Sequence, residues 1–251
     1  MVSTRSSSRA LPNGVDASPS ATPPPAPAPA PAAATRASAA ASAVASAVRD
    51  NASASPRGWS HAPTAATAAW LLFSLPLVAW DTGYVLLRPW TMPGGHLHWP
   101  LWVPYALYGQ VDHVYGWKAY EARSGFTSAQ GALNLVETLM YLAYVYIYLS
   151  RGRPAGGPAG AKKTVGGSAG ALAVVIGFSA AVMTLSKTLL YWANEYFSGF
   201  DNIGHNTMVD LITMWIIPNG AWIVGSGYMV LSLGGEIVDG LTLASKTTKT
   251  E

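Results

Sequence analysis

Four stretches of this chain are each long and apolar enough to cross a bilayer, and each carries a polar group that hydrocarbon does not accommodate alone. They cover about residues 64–87, 127–149, 169–195 and 208–233, and each exceeds the ~20 residues a helix needs to cross ~30 Å of hydrocarbon. Glu137 lies near the middle of the second stretch, where a carboxylate costs at least ~2.5–3.5 kcal/mol relative to an apolar residue. Asp81 stands in the first, Lys187 in the third, and Pro218, Asn219 and Trp222 in the fourth. Such groups face protein or water, not lipid. The predicted fold class is therefore all-α, a polytopic membrane bundle of four core helices with a polar interior.

Composition agrees. Half of the 251 residues are hydrophobic and 11% are charged, against about 25% in a soluble domain. The absence of cysteine removes a disulfide framework, thiolate metal sites and a Cys nucleophile. The net charge of +3 is small and dispersed, so nucleic acid is not an expected partner. Ten Trp and twelve Tyr suit both membrane interfaces and an aromatic pocket.

Three regions are expected. Residues 1–62 form an Ala/Pro/Ser-rich tail, with a Pro-Ala run at 23–31, that lacks the bulky apolar side chains needed to offset chain entropy. It reads as disordered. No Leu-rich core follows its arginines, which argues against a secretory signal; its Arg- and Ser-rich start also resembles an organelle transit peptide. Residues 63–240 hold the membrane domain, and 241–251 a short polar tail. The Gly-rich run 152–170 has no Lys-Ser/Thr ending of a phosphate loop and reads as a linker.

The stretch 99–120 is ambiguous: apolar at its start, it then carries Gln110, Asp112, His113 and Lys118. The distribution of Lys and Arg arbitrates. With four spans, the Arg-bearing tail, the basic 151–163 loop and the Lys246/Lys249 end share one side, and the 196–207 loop, without Lys or Arg, takes the other. A fifth span would separate the basic segments. Four spans with both ends cytosolic is the expected arrangement, and 88–126 becomes a lumenal, partly embedded insert.

At 1.5 Å per residue, Asp81, Lys187, Glu137 and Asn219 all fall about 9–17 Å from the lumenal boundary. Spacings of three, four and seven align Gln130, Asn134, Glu137, Tyr141, Tyr144 and Tyr148 on the second helix. The same spacings align Thr184, Lys187 and Tyr191 on the third, and Trp215, Asn219 and Trp222 on the fourth. Blander roles stay open: a register-setting Glu137–Lys187 ion pair, Asp81 and Arg88 snorkelling to the interface, Asn219 satisfying the carbonyl freed by Pro218, and Trp222 as packing. His96, His98, His113 and His205 lack metal-site spacing, so no metal and no cofactor is expected.

The runs Leu190-Tyr191-Trp192-Ala193-Asn194-Glu195, Gly199-Phe200, Gly204-His205 and Pro218-Asn219-Gly220-Ala221-Trp222 occur in that order. Upstream, Gly125-Phe126-Thr127 leads to Glu137-Thr138, and Trp80-Asp81 lies on the first span. Over about 71–233 the chain resembles the emopamil-binding protein family, the sterol double-bond isomerases of the EXPERA membrane superfamily. The run 186–222 also resembles a branch of that superfamily in filamentous fungi. The resemblance implies a sterol or isoprenoid ligand, membrane lipids as neighbours and the endoplasmic reticulum membrane as location, and leaves a homodimer open. It implies Glu137 as base, Asp81 as the acid-side carboxylate, Asn219 as orienting partner and Trp222 as the aromatic facing a carbocation. Trp215, Tyr141, Tyr191 and Lys187 complete the expected substrate-binding set. Two positions depart from the family: its His one turn before the acid falls at Leu77, and its acidic residue on the third helix falls at Thr188. An isomerase, a non-catalytic sterol- or lipid-binding or trafficking protein, and a small membrane terpene cyclase are the readings carried forward.

Overall fold

The Thr64 hydroxyl accepts the Thr67 N–H at 3.0 Å, and this cap starts the first long helix, α1 (Ala65–Leu86). The computed structural model describes residues 58–154 and 163–247. The tail up to residue 57, the Gly-rich residues 155–162 and the last four residues lie outside that range. Within it, α1 is followed by short helices α2 (Pro104–Val111) and α3 (Trp117–Glu121), then by the long α4 (Phe126–Arg151) and α5 (Gly167–Phe197). The last rod comprises α6 (Met208–Asp210), a π-helical segment (Leu211–Ile216) and α7 (Ile217–Thr247). Four helices are long and apolar enough to span a membrane, and the protein is a multi-pass membrane bundle.

The stretch 99–120 is not a fifth span. Its helix α2 has 8 residues, about 12 Å, and Pro104 opens it at the position where a missing N–H is harmless. The insert folds as a cap across one end of the bundle. Trp80 Nε1 donates to Leu101 O at 2.9 Å, Trp102 Nε1 to Trp80 O at 3.1 Å, and Tyr84 OH to Tyr115 O at 2.9 Å. Thr127 Oγ1 donates to Val114 O at 2.7 Å. Three of these bonds satisfy insert carbonyls, at Leu101, Val114 and Tyr115, that an irregular segment near the membrane would otherwise leave bare.

α5 packs between α4 and α7, and α1 packs on α4. Its buried face runs through Gly170, Ala173, Gly177, Ala180 and Thr184, alternating steps of three and four, so small residues let the backbones approach. At Gly177 a Cβ would stand 3.0 Å from Tyr144 Cδ2 and 3.2 Å from Leu233 Cδ1.

The opposite end carries a small antiparallel sheet of β1 (Ser60–His61), β2 (Arg153–Pro154) and β3 (Lys163–Gly166), in the order β1-β3-β2. Three boundaries differ from the sequence reading. His61, expected in the tail, is fully buried, 2.6 Å from Glu236 Oε2 and 2.8 Å from Tyr144 OH. A polar residue among Ala, Pro and Ser gives no hydrophobic signal, so the composition of its neighbours hides it. Part of the expected linker, Lys163–Gly166, is a strand, because it pairs with segments distant in sequence. The fourth span reaches Lys246 and has 39 residues, because its helix continues past the apolar stretch into the expected polar tail.

Candidate functional site

α1, α4, α5 and the last rod enclose a cavity of about 480 Å³ beneath the cap, within the ~300–1,000 Å³ typical of small-molecule sites. Asp81, Asn134, Lys187, Tyr191, Asn219 and Trp222 line it from the helices. Tyr105, Tyr108 and Tyr115 line it from the insert. A second cavity, of about 450 Å³, lies at the cap end of α5. Size does not separate the two; the convergence of charged groups marks the first.

Those groups form one chain of contacts across four helices, α1, α2, α4 and α5. Tyr105 OH donates to Asp81 Oδ1 at 2.6 Å, and Asn134 Nδ2 donates to Asp81 Oδ2 at 2.9 Å. Lys187 Nζ donates to Asn134 Oδ1 and stands 3.1 Å from Glu137 Oε2. Thr184 Oγ1 donates to the same Glu137 oxygen at 2.9 Å and lies 3.3 Å from Tyr141 OH. The ammonium fixes the Asn134 amide with oxygen towards the cation, which turns its NH₂ to the Asp81 carboxylate. Burial first, and the Asp81 charge second, push the phenols of Tyr105 and Tyr115 upward, so both remain donors. The Tyr105 ring stacks on Tyr84 at 3.7 Å and 8°, which holds its hydroxyl in place.

A second polar centre lies beside the first. Asp112, fully buried at the end of α2, accepts from Tyr191 OH, from Trp215 Nε1 at 2.9 Å and from Val114 N–H at 3.0 Å. Burial pushes its carboxyl up to about 6, opposed chiefly by the Tyr191 hydrogen bond. Asp112 thus joins the insert to α5 and to the π-helical segment.

Of the residues singled out in the sequence, Asp81, Lys187, Tyr191, Asn219 and Trp222 share the main cavity. Glu137 does not line it. It sits behind Lys187, its side chain 3% exposed, with Oε1 unpartnered among the described residues, beside a space of only about 10 Å³ that Tyr141 and Trp222 also border. Trp215 turns away to Asp112. An ideal helix would place Trp215, Asn219 and Trp222 on one face, but the π turn that contains Trp215 changes the phase before Pro218. Asn219 Nδ2 donates to Trp215 O at 2.9 Å, one residue beyond the Met214 carbonyl that a proline at 218 would free in an α-helix. The cavity-lining Tyr105, Tyr108 and Tyr115 escaped the sequence reading. A cluster of Tyr interleaved with Pro and Gly was their only signal.

Comparison of the chain with protein-family models, with curated proteins and with solved structures returns no match.

Proposed function

We propose that the chain takes a sterol or related polycyclic isoprenoid into the main cavity and moves a double bond by protonation and deprotonation, in the manner of the emopamil-binding family. The observation that carries this reading is a largely apolar and aromatic cavity whose wall includes one carboxylate, Asp81, and one indole from another helix, Trp222. An acid adds a proton to one alkene carbon, leaving the neighbouring carbon cationic. The Asp81 carboxylate left by that step then takes a proton from the carbon on the far side of the cation, the double bond re-forms one position along, and the carboxyl group is restored. A cation needs an anhydrous site and a π face that does not react with it, which Trp222 supplies. Asp81 is the carboxyl group at the ligand and carries the proton. Glu137 acts through Lys187 and Asn134, as a positioning residue. The endoplasmic reticulum membrane belongs to this reading.

Two observations favour a second reading, a binding protein without turnover. Leu77 lines the cavity where the isomerases have a His, and Glu137 is engaged with Lys187. Microsomes from yeast lacking its own sterol isomerase, fed the accumulated sterol, separate the two by gas chromatography–mass spectrometry. A shifted double bond that Asp81→Asn abolishes, by at least about 10²-fold, supports the isomerase. Folded protein with no product, but with saturable labelling by a sterol photoprobe that Trp222→Ala removes, supports the binding protein. Neither product nor labelling would refute both.

A further inference from the structure

The insert that roofs the main cavity meets the loop between α5 and the last rod along one polar seam. His113 N–H donates to Asn202 O at 3.2 Å, and Asn206 Nδ2 donates to Val111 O at 2.7 Å. His205 Nε2 lies 2.7 Å from Gln110 O; because its partner is a carbonyl, this nitrogen carries the hydrogen. Lys118 Nζ donates to Asp201 O and Oδ2, both at 2.8 Å. These contacts tie residues 110–118 to residues 201–206, so the seam fixes the roof to a part of the chain outside the insert. At its centre the imidazoles of His113 and His205 lie face to face, with centroids 4.0 Å apart and planes 3° from parallel.

The seam accommodates His113 only as a neutral ring. An imidazolium donates from both ring nitrogens, and His113 Nδ1 is buried with no partner among the described residues. A proton on the ring would leave a charged N–H buried without an acceptor. The charged groups nearby do not offset this. Lys118, from α3, is itself a cation, and the Asp201 carboxylate from the loop is bound to it. Asp112 turns to Tyr191 and Trp215, Glu195 of α5 is held by Asn194 and Asn202, and Asp210 of α6 by Thr207. His205 is exposed, and a charge on it would face any charge on His113 across the stack. Burial first, then His205 and Lys118, hold the His113 imidazole below its ordinary value of 6.5, opposed by Asp201.

We propose that the stacked His113–His205 pair is an acid-sensitive latch on the roof of the main cavity, closed while His113 is neutral and loosened when acid protonates it, so that residues 110–118 part from residues 201–206. The direction follows from linkage: a proton that binds the open seam better than the closed one favours opening as pH falls. The switch is a local charge change, and the seam is the two-state element it biases. Asp112 cannot produce the same response. Its carboxyl keeps a proton better in the folded chain, so acid strengthens its contribution. The latch does not depend on the reaction proposed for the main cavity.

The test is hydrogen–deuterium exchange of the full chain in nanodiscs at pH 7.5 and 5.5, with each rate corrected for intrinsic exchange at that pH. One unit below 6.5, a proton accepted only by the open seam raises the open population by at most about tenfold. Protection over 110–118 and 201–206 is expected to fall by up to that factor, while the interior of α4 is unchanged. His113 Nδ1 has no hydrogen bond to lose, so His113→Phe keeps a ring on His205 and removes only the titration. It is expected to match wild type at pH 7.5 and to keep that protection at pH 5.5. His113→Gln is a second neutral variant with the same expectation. Equal protection of the wild-type seam at both pH values, or an acid-induced loss that the neutral variants share, would overturn the latch.

Discussion

Lys187 holds the site together at the level of single residues, because it stands between two acidic groups and reaches the second only through the Asn134 amide. Lys187→Met leaves the Glu137 carboxylate buried and unpaired, and is expected to lower stability by about 3–5 kcal/mol. Adding Glu137→Leu should restore most of that loss, since an apolar pair can replace a buried ion pair; thermal unfolding in detergent reads both. Asp112 supplies a pH dependence of known sign. Between its ordinary value of 3.8 and about 6, the folded chain keeps a proton that the unfolded chain has lost. The stability this group contributes is full below 3.8 and lost as pH rises through about 6. Stability relative to Asp112→Asn, followed by thermal melting, should therefore fall from pH 4 to about 6 by at most about 1.4 kcal/mol per pH unit and level off above that. A constant difference would rule this out. The similar depth of Asp81, Lys187, Glu137 and Asn219 was read from the sequence, because face and depth follow from helix geometry; three of them line the cavity and Glu137 stands behind Lys187. The Asp112 centre was not, since an insert residue meets Tyr191 and Trp215 only through tertiary folding.

Among the elements, α5 depends on its small face. Gly177→Leu would drive a side chain into Tyr144 and Leu233, where even a Cβ is tight, and should cost about 1–3 kcal/mol, measured by chemical unfolding in micelles. A variant that melts with wild type would show that this contact yields freely. The four spans could be read directly because hydropathy over twenty residues integrates a strong signal. The π segment could not, and with it went Trp215: periodicity assumes a constant turn, and one wide turn redirects the residue within it. Short pieces such as β1 and α3 owe their form to neighbours distant in sequence, so no local window contains them.

For the whole molecule, the chain's lack of cysteine makes topology simple to measure. The distribution of Lys and Arg implies that both ends face the cytosol; on that arrangement Arg151→Cys should react with an impermeant maleimide on sealed, cytosol-side-out microsomes, and Ser198→Cys only after permeabilisation. The reverse pattern would invert the arrangement. The two ends of the bundle also differ in kind. At one, a three-stranded sheet and the contacts of His61 with Glu236 and Tyr144 join α1, α4, α5 and α7. At the other, the insert between α1 and α4, with its short helices α2 and α3, roofs the main cavity and is tied through Asp112 to α5 and the π-helical segment. The bundle is thus built like a cask hooped at both ends, so cargo entering from the bilayer would pass between the staves while the hoops keep the helices aligned.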